Sequence, residues 1–217
     1  MATDQNLNQE IESALDWRYA AKKYDASRKI SAADWKTIEL SLKKAPSSYG
    51  LQPFKFLVIE DQALREKLRA QAWNQTQVTD AAKLVVVLAK ERVDEKHIQD
   101  YIDNIAKVRG ISGESLNGFK DMMLSRAVGL SDEDAITWNQ RQAYIALGFA
   151  LETAALLKID ATPMEGFDPA AFDKILELEG SGWKSVVVAA FGYRHAEDAT
   201  QNFKKVRRED AHIVQYR

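Results

Sequence analysis

The chain has 217 residues, of which 46% are hydrophobic, so it is long enough to bury one sizeable core and too apolar for a disordered polymer. Its 30 basic and 32 acidic residues give a net charge of -2, which argues against a general nucleic-acid binder but leaves room for a local basic patch. No cysteine is present, and this excludes disulfides, thiolate catalysis and cysteine-ligated zinc or iron–sulfur sites.

The N-terminal segment is polar. Met1–Leu15 has scattered apolar residues and lacks the apolar core of a signal peptide. The longest apolar runs, Leu84–Ala89 and Val186–Phe191, are far too short to span a bilayer. These features predict a soluble, cytoplasmic protein without a membrane partner. Apolar positions at helical spacing predict a first helix that reaches Arg18.

The rest of the first half alternates helices with strands. A weak capping box at Ser31-Ala32-Ala33-Asp34 precedes apolar residues at helical spacing, which predicts a helix. Phe54–Ile59 is rich in aromatic and β-branched residues and predicts a strand. Leu84–Ala89 is apolar throughout, as expected for a strand buried on both faces. The segments between these elements are assigned as a loop and a helix, Ala45–Gly50 and Leu64–Trp73.

The second half of the chain continues this alternation. Arg92–Leu130 carries most of a helical pattern, although four glycines interrupt it. Asp132–Leu157 predicts a long helix with small or apolar residues at core spacing, and Ser185–Tyr193 predicts another buried strand. No repeat, low-complexity linker or charge block marks a domain boundary. Residues 1–217 are therefore expected to form one α+β domain.

Ala161–Phe167 lies between an apolar helical segment and a clear helix start at Asp168-Pro169. Pro163 is rigid and lacks an amide hydrogen, whereas Gly166 allows backbone angles that are closed to other residues. We therefore expect a stiff turn that holds backbone N–H groups outward, an array suited to a planar, hydrogen-bonding ligand. A helix is then predicted through Leu178.

Two basic groups stand out. Arg18 and Lys22 are four residues apart, so at the end of a helix both side chains could reach one anion. Lys205 and Arg207 alternate along the chain, which puts both charges on one face of an extended segment. A phosphate group needs two or three such cations, although a solvated basic surface is the alternative for either group alone.

Phosphate loops and hydrolytic motifs are missing from the sequence. It contains neither G-x-G-x-x-G, nor G-x-x-x-x-G-K-[ST], nor G-x-S-x-G. His97, His195 and His212 lie far apart, and none begins an H-E-x-x-H motif. No metal site is predicted, and a nucleotide would have to be held by side chains.

Four segments of the chain share their order and spacing with a known family. They are Arg18-Tyr19-Ala20-x-Lys22-x-Tyr24-Asp25, Ala45-Pro46-Ser47-Ser48-x-x-x-Gln52-Pro53-Phe54, Pro163-Met164-Glu165-Gly166-Phe167 and Lys205-x-Arg207. Together they resemble the FMN-dependent nitroreductase family, in particular its oxygen-insensitive NAD(P)H nitroreductase/dihydropteridine reductase type. The resemblance covers essentially the whole chain, and four motifs in the right order are more specific than any one of them.

The resemblance implies a nitroreductase-like α+β fold, with helices around a central, mostly antiparallel sheet. It also implies an intertwined homodimer with active sites at the subunit interface, FMN as cofactor, and NADH or NADPH as co-substrate. The residues that it assigns to FMN are Arg18, Tyr19, Ala20 and Lys22 along the phosphate, ribityl chain and ring edge, Lys205 and Arg207 at the phosphate, Pro163 and Met164 on a ring face, Glu165 and Gly166 with amides near N5, Pro46, Ser47, Ser48 and Gly50 from the other subunit, and Asn74, Gln77 and Gln142 around the flavin.

The chain departs from the family pattern at three of these positions. Ala20 replaces a frequent serine and removes one hydroxyl donor to phosphate, and Gly50 replaces a common asparagine. Gln77 stands where some members have a lysine near the pyrimidine edge, and a neutral amide stabilises an anionic reduced flavin less than an ammonium does. Lys22 would then be the main cation at the redox edge, so the departures leave the flavin potential and the substrate preference open, but not the identity of the cofactor.

The sequence has no obvious acid, base or nucleophile, which agrees with chemistry carried by a cofactor. The resemblance implies ping-pong hydride transfer from NAD(P)H to nitroaromatics, quinones or other small electron-poor acceptors. Phe119, Met123 and Leu124 are assigned by position to the acceptor pocket, with core packing as the alternative for the methionine. An enone or flavin reductase on the same scaffold, a non-catalytic FMN-binding protein and a cofactor-free binding domain stay open as alternatives. No ribose-reading motif distinguishes NADH from NADPH.

Overall fold

A four-stranded sheet, antiparallel throughout, lies at the centre of an α+β fold. A computed structural model describes residues 2–217. The strands are β1 (Phe54–Ile59), β2 (Lys83–Lys90), β3 (Asp160–Met164) and β4 (Trp183–Gly192), in the spatial order β1-β2-β4-β3. The helices are α1 (Ala2–Trp17), α2 (Ala32–Lys44), α3 (Gln62–Ala70), α4 (Gln77–Asp80), α5 (Glu95–Arg109), α6 (Asn117–Met123), α7 (Asp132–Leu156), α8 (Pro169–Ile175) and α9 (Asp210–Ile213).

The two central strands are the most apolar part of the sheet. The inner residues of β2 are all buried, and the second half of β4 is buried as well. Successive side chains go to opposite faces, so Val85 and Val87 pack in one apolar cluster while Leu84 and Val86 pack in another. The prediction of two strands buried on both faces is confirmed.

Helices cover each face of the sheet. In the first cluster Ile38 of α2 and Leu147 of α7 pack against the strands, and in the second Leu68 of α3 and Phe172 of α8 do so. A row of buried alanines lets α7 lie close to β2. No helix within residues 2–217 is both long enough and apolar enough to cross a membrane.

The segment predicted as a turn between residues 161 and 167 is partly a strand. Residues 160–164 form β3 and pair with β4, so only the residues after Met164 turn. The sequence pattern was misleading because Pro163 is normally a strand breaker, whereas β3 lies at the edge of the sheet, where proline is tolerated. Gly166 marks the exit from the strand.

Helices α1 and α3 end earlier than predicted. The first one, α1, ends at Trp17, so Arg18 lies outside it. Helix α3 ends at Ala70, and the chain then passes through Trp73 and Asn74 in the left-handed region, with φ of 51° and 57°. Two consecutive left-handed residues cannot belong to a right-handed helix. They form a tight turn that the helical pattern had concealed.

The irregular stretch Arg92–Leu130 folds as several short helical pieces. Helix α5 stops at Gly110, whose φ of 65° gives the left-handed C-cap that glycine adopts without strain. A 3-10 turn at Gly113–Leu116, α6 and a π-helical turn at Leu124–Val128 follow. Helix α8 also ends earlier than predicted, at Ile175 instead of Leu178.

Candidate functional site

A basic pocket of about 360 Å³ opens between the end of α1 and the segment after residue 198. Four cations and one acidic residue line it, together with Tyr19 and Ala20. The cations are Arg18, Lys204, Lys205 and Arg207, and the acidic residue is Asp16. Val206, between Lys205 and Arg207, does not line the pocket, but the consecutive residues Lys204 and Lys205 both do, so the side chains do not alternate strictly along this segment. The pocket thus joins two of the four sequence motifs, which are far apart along the chain.

The cations of this pocket form no salt bridge among the residues that the structure describes. Asp16, which also lines the pocket, attracts Lys205 without forming an ion pair with it. Within the same described residues, the buried Arg18 Nε has no hydrogen-bond partner. Burial and the neighbouring Arg207 lower the pKa of Arg18, while burial, Arg18 and Arg207 lower that of Lys205. An anion with several oxygens would relieve both the repulsion and the orphaned donor.

The ammonium group of Lys205 is held at the end of α1. Its Nζ donates to the carbonyl oxygens of Leu15 and Arg18, the latter at 2.7 Å. The last carbonyls of a helix have no partner within the helix and carry the negative end of its dipole. Lys205 therefore caps α1 and at the same time brings its charge to Arg18.

Asp198 fixes the path of the chain after α1. Its Oδ2 accepts from the amides of Lys22 at 2.7 Å and Lys23 at 3.2 Å, and from the hydroxyl of Tyr19 at 3.1 Å. Burial opposes the charge, but hydrogen bonds from Thr200 and these amides outweigh it and lower the pKa of Asp198 to about 2. The carboxylate is therefore ionised at neutral pH.

Arg18 and Lys22 do not share one helix face, so the helical spacing predicted for them is wrong. Residues 18–23 lie beyond α1 and bend around Asp198, and in such a segment a separation of four has no special meaning. Lys22 is exposed and does not line the basic pocket. Its assignment to the redox edge of a ring is a different prediction, which stays a prediction.

A second, mostly apolar pocket of about 380 Å³ lies beside the exit from β3. Pro163 and Glu165 line it together with residues of α7, among them Tyr144 and Leu147. The Tyr144 hydroxyl donates to Glu165 Oε1, and burial together with this carboxylate raises the pKa of Tyr144. Met164 is buried in the second apolar cluster. The Glu165 carboxylate is thus tied to α7.

Trp73 is a candidate site residue that the sequence did not indicate. Its side chain is 74% exposed, yet a Cβ atom at Gly166 would lie 2.4 Å from its Cζ3. Gln75 Nε2 donates to the Gly166 carbonyl at 2.7 Å, and the amide of Asp168 donates to the Gln71 carbonyl at 2.9 Å. These bonds fix the left-handed turn against Gly166, so the indole stands over the backbone of the predicted amide array. Gly166 does not have a positive φ, so the expected use of backbone angles closed to other residues is wrong, and the reason for a glycine is space: a side chain at residue 166 would require the indole to shift.

The same turn presents Asn74 at the surface. Asn74 is exposed, and its carbonyl accepts from Arg69 Nε at 3.2 Å. Gln77, the first residue of α4, is buried. The turn therefore places Asn74 next to the indole over Gly166, while Gln77 lies inside the protein a few residues farther on.

The predicted partner-subunit loop packs on its own α5 and α7. The amide of Ser48 donates to Gln142 Oε1 at 2.8 Å, which links two of the predicted residues. Gly50 has φ of 80°, and a Cβ there would lie 2.3 Å from the Tyr101 hydroxyl. Glycine in place of asparagine is thus explained by backbone conformation and space together. Neither pocket is lined by Pro46, Ser47, Ser48, Gly50 or Gln142 of the described chain.

The residues assigned to the acceptor pocket lie beside this loop. Met123 is fully buried in a third apolar cluster, against which Phe119 and Leu124 pack. The Phe119 ring meets that of Tyr49 edge-on, with centroids 6.3 Å apart. Within one chain these residues pack beside the loop that contains Tyr49 and not beside Glu165 and Gly166. Their contact with substrate stays a prediction.

Comparisons with known proteins agree with this geometry. A model described as the nitroreductase family matches residues 15–193. A candidate NAD(P)H nitroreductase of Staphylococcus saprophyticus is 35% identical over 218 aligned residues, covering 97% of this chain and 98% of that protein.

Two solved structures share the fold. One is a candidate nitroreductase from Exiguobacterium sibiricum in complex with FMN, with a TM-score of 0.79, 18% identity, and coverage of 95% of this chain and 97% of that one. The other is an enone reductase of gut-bacterial fatty acid biohydrogenation, with a TM-score of 0.77, 19% identity, and coverage of 93% and 94%.

Proposed function

Because this chain belongs to the nitroreductase family, we propose that it is an FMN-dependent oxidoreductase that uses NADH or NADPH to reduce electron-poor acceptors by two electrons. The family match covers most of the chain, and the similarity to the candidate nitroreductase of Staphylococcus saprophyticus extends over 98% of that protein. Nitroaromatics and quinones are the acceptors that we propose to test first. A cytoplasmic location accords with the use of these co-substrates and stays a prediction.

The basic pocket is the observation that carries this proposal. Within the described residues Arg18 has a buried Nε without a hydrogen-bond partner, and Lys204, Lys205 and Arg207 add cations that form no salt bridge there. A phosphate monoester carries close to two charges at neutral pH and offers three acceptor oxygens. The residues present therefore fit the phosphate of FMN, and Tyr19 and Ala20 at the same pocket would border its ribityl chain.

The turn after β3 is the proposed partner of the isoalloxazine ring. Its Glu165 and Gly166 amides would donate to the ring edge, with Pro163 against a ring face. The Tyr144 hydrogen bond turns the Glu165 carboxylate toward α7, so that charge does not oppose an anionic ring. When bound, FMN supplies the hydride acceptor and donor chemistry, which explains why the site needs no acid–base pair. Lys22, exposed beyond Asp198, would be the cation nearest the ring.

We further propose that the working unit is a homodimer. Helix α7 leaves Ile145, Phe149 and Leu156 between 42% and 45% exposed, at spacings that put them on one side of the helix. The loop at residues 46–50 lines neither pocket of its own chain, so a second copy docked through this face would bring its loop to the flavin. Light scattering should report a dimer, and Phe149→Glu should yield a monomer with weakened flavin binding. A wild-type monomer that holds FMN tightly would contradict this assembly.

An enone reductase is the second candidate, favoured by the structural likeness to a protein of that activity. The two candidates share cofactor and scaffold, so only the acceptor distinguishes them. The purified protein should be yellow, and anaerobic mixing with NADPH or NADH should bleach its absorbance near about 450 nm. A panel of nitroaromatic, quinone and enone acceptors then ranks the activities. Bound flavin that neither nucleotide reduces would leave a non-catalytic FMN-binding protein.

A further inference from the structure

We propose that Arg194 is a positioning residue for the basic pocket, because it clamps the two aromatic residues on either side of Arg18. Arg194 follows β4 and does not itself line the pocket. It would act on a phosphate only through the backbone that carries Arg18. This inference rests on the proposed function, since it takes the FMN phosphate as the ligand of the pocket.

The clamp is anchored in the protein interior. Asp160, at the start of β3, is 3% exposed. Its Oδ2 accepts from the backbone amide of Arg194 at 2.8 Å, and its Oδ1 accepts from Arg194 Nε at 2.9 Å and lies 2.6 Å from Nη2. A guanidinium held by two nitrogens on one carboxylate has little freedom to turn. The plane of the Arg194 side chain is therefore fixed.

The fixed guanidinium lies against both neighbours of Arg18. Its Cζ is 4.2 Å from the ring centroid of Trp17 and 4.4 Å from that of Tyr19. Nη2 also approaches the Trp17 carbonyl at 3.4 Å. Stacking of a guanidinium on an aromatic ring is attractive, and more so where the pair is shielded from water. Residues 17 and 19 are thus held from one side, which leaves little freedom for the backbone of residue 18.

Arg18 needs such a support because its own environment is unfavourable. Its Nε is buried and unpartnered, and Arg207 repels it. Without a bound anion, the side chain would gain by turning into solvent. The clamp keeps the backbone in the binding geometry, so less ordering remains to be done when a phosphate arrives. The Asp160 carboxylate also attracts the Arg18 guanidinium and so favours the same position of Arg18.

Flavins with and without a phosphate distinguish this role from a purely structural one. Arg194→Lys keeps the charge but loses the planar fork that stacks on both rings. Dissociation constants for FMN and riboflavin are measured by flavin fluorescence on apoprotein. We expect FMN affinity to fall about tenfold, the equivalent of one stacking contact or two, while riboflavin affinity changes less than about twofold. Arg28→Lys is the matched control, because Arg28 stacks on Tyr193 at 3.7 Å but does not line the pocket.

Each other outcome overturns the assignment in a distinguishable way. Equal losses for FMN and riboflavin mean a general structural role, and no loss for either means that Arg194 does not position Arg18. If Arg194→Lys fails to fold, Arg194→Gln keeps an amide that can donate to Asp160, loses the guanidinium that stacks on both rings, leaves the pocket lining unchanged and must give the same FMN-selective loss. A wild-type protein that binds neither flavin overturns the proposed function itself, whereas one that binds both equally refutes only the phosphate role of the pocket.

Discussion

Removal of a single charge from the basic pocket should weaken FMN binding without harming the fold. Arg207 is exposed, and within residues 2–217 its side chain donates a single hydrogen bond, to the carbonyl of the preceding residue. A hydrogen bond between charged groups contributes about 1.5–3 kcal/mol, so Arg207→Ala should raise the Kd of FMN about 10- to 100-fold. In the apoprotein the same change removes repulsion from Arg18 and Lys205. The melting temperature without flavin should therefore stay the same or rise.

The assay is titration of apoprotein with FMN, paired with thermal unfolding in the absence of flavin. Arg208→Ala is the matched control, because the adjacent arginine does not line the pocket and should change the Kd by less than about twofold. Lys205→Ala combined with Arg207→Ala should lose FMN on gel filtration with the fold retained. Full retention of FMN by this double variant, or equal effects of Arg207→Ala and Arg208→Ala, would refute the assignment of the phosphate.

Three further predictions concern the backbone and the pH dependence. Gly50→Ala should lower the free energy of unfolding, measured by chemical denaturation, by about 2–4 kcal/mol, because a positive φ and a clash with a tyrosine hydroxyl add up. Gly180→Ala is the control: its φ of 72° is similar but the space around it is open, so only the backbone strain of about 1–2 kcal/mol should remain. Equal losses in the two variants would contradict this reasoning. Gly166→Ala should displace Trp73, with a shift in tryptophan emission and a loss of about 1–3 kcal/mol, and unchanged emission would count against the packing. The pKa of Asp198, about 2, lies below that of an aspartate in the unfolded chain. The ionised carboxylate therefore stabilises the fold above about pH 4, and this contribution is lost as the pH falls toward 2. Asp198→Asn should be less stable than the wild type by up to about 2 kcal/mol at pH 7, and the difference should vanish near pH 2.

The sequence indicated the buried core better than its edges. β2 and β4 could be predicted because both faces of each strand are covered, which leaves an uninterrupted apolar run. β3 was missed because Pro163 is a turn signal in most contexts, and only the order of the strands shows that it stands at an edge. The end of α3 was missed because Trp73 continues a helical apolar pattern although its backbone is left-handed.

The candidate site was only partly predictable for a different reason. The motifs with Arg18 and with Lys205 and Arg207 could be recognised, and the structure brings these three residues into one pocket. Asp198 and Arg194 act through contacts with residues more than 170 positions away, and no local pattern reports such contacts. Local patterns thus identify the groups that would touch a ligand, whereas the groups that hold them in place emerge from the tertiary structure.

The separation of Lys205 from Arg18 also sets the order of events during synthesis. The two residues are 187 positions apart, and the carbonyl of Arg18 meets the ammonium of Lys205 directly. The sheet is complete once β4 has emerged from the ribosome, but the basic pocket must wait for the segment that follows. A nascent chain can therefore bury its core before it can hold a phosphate, so we expect cofactor capture to be a late, post-core step. Truncation after residue 203 would then leave a folded sheet without a site.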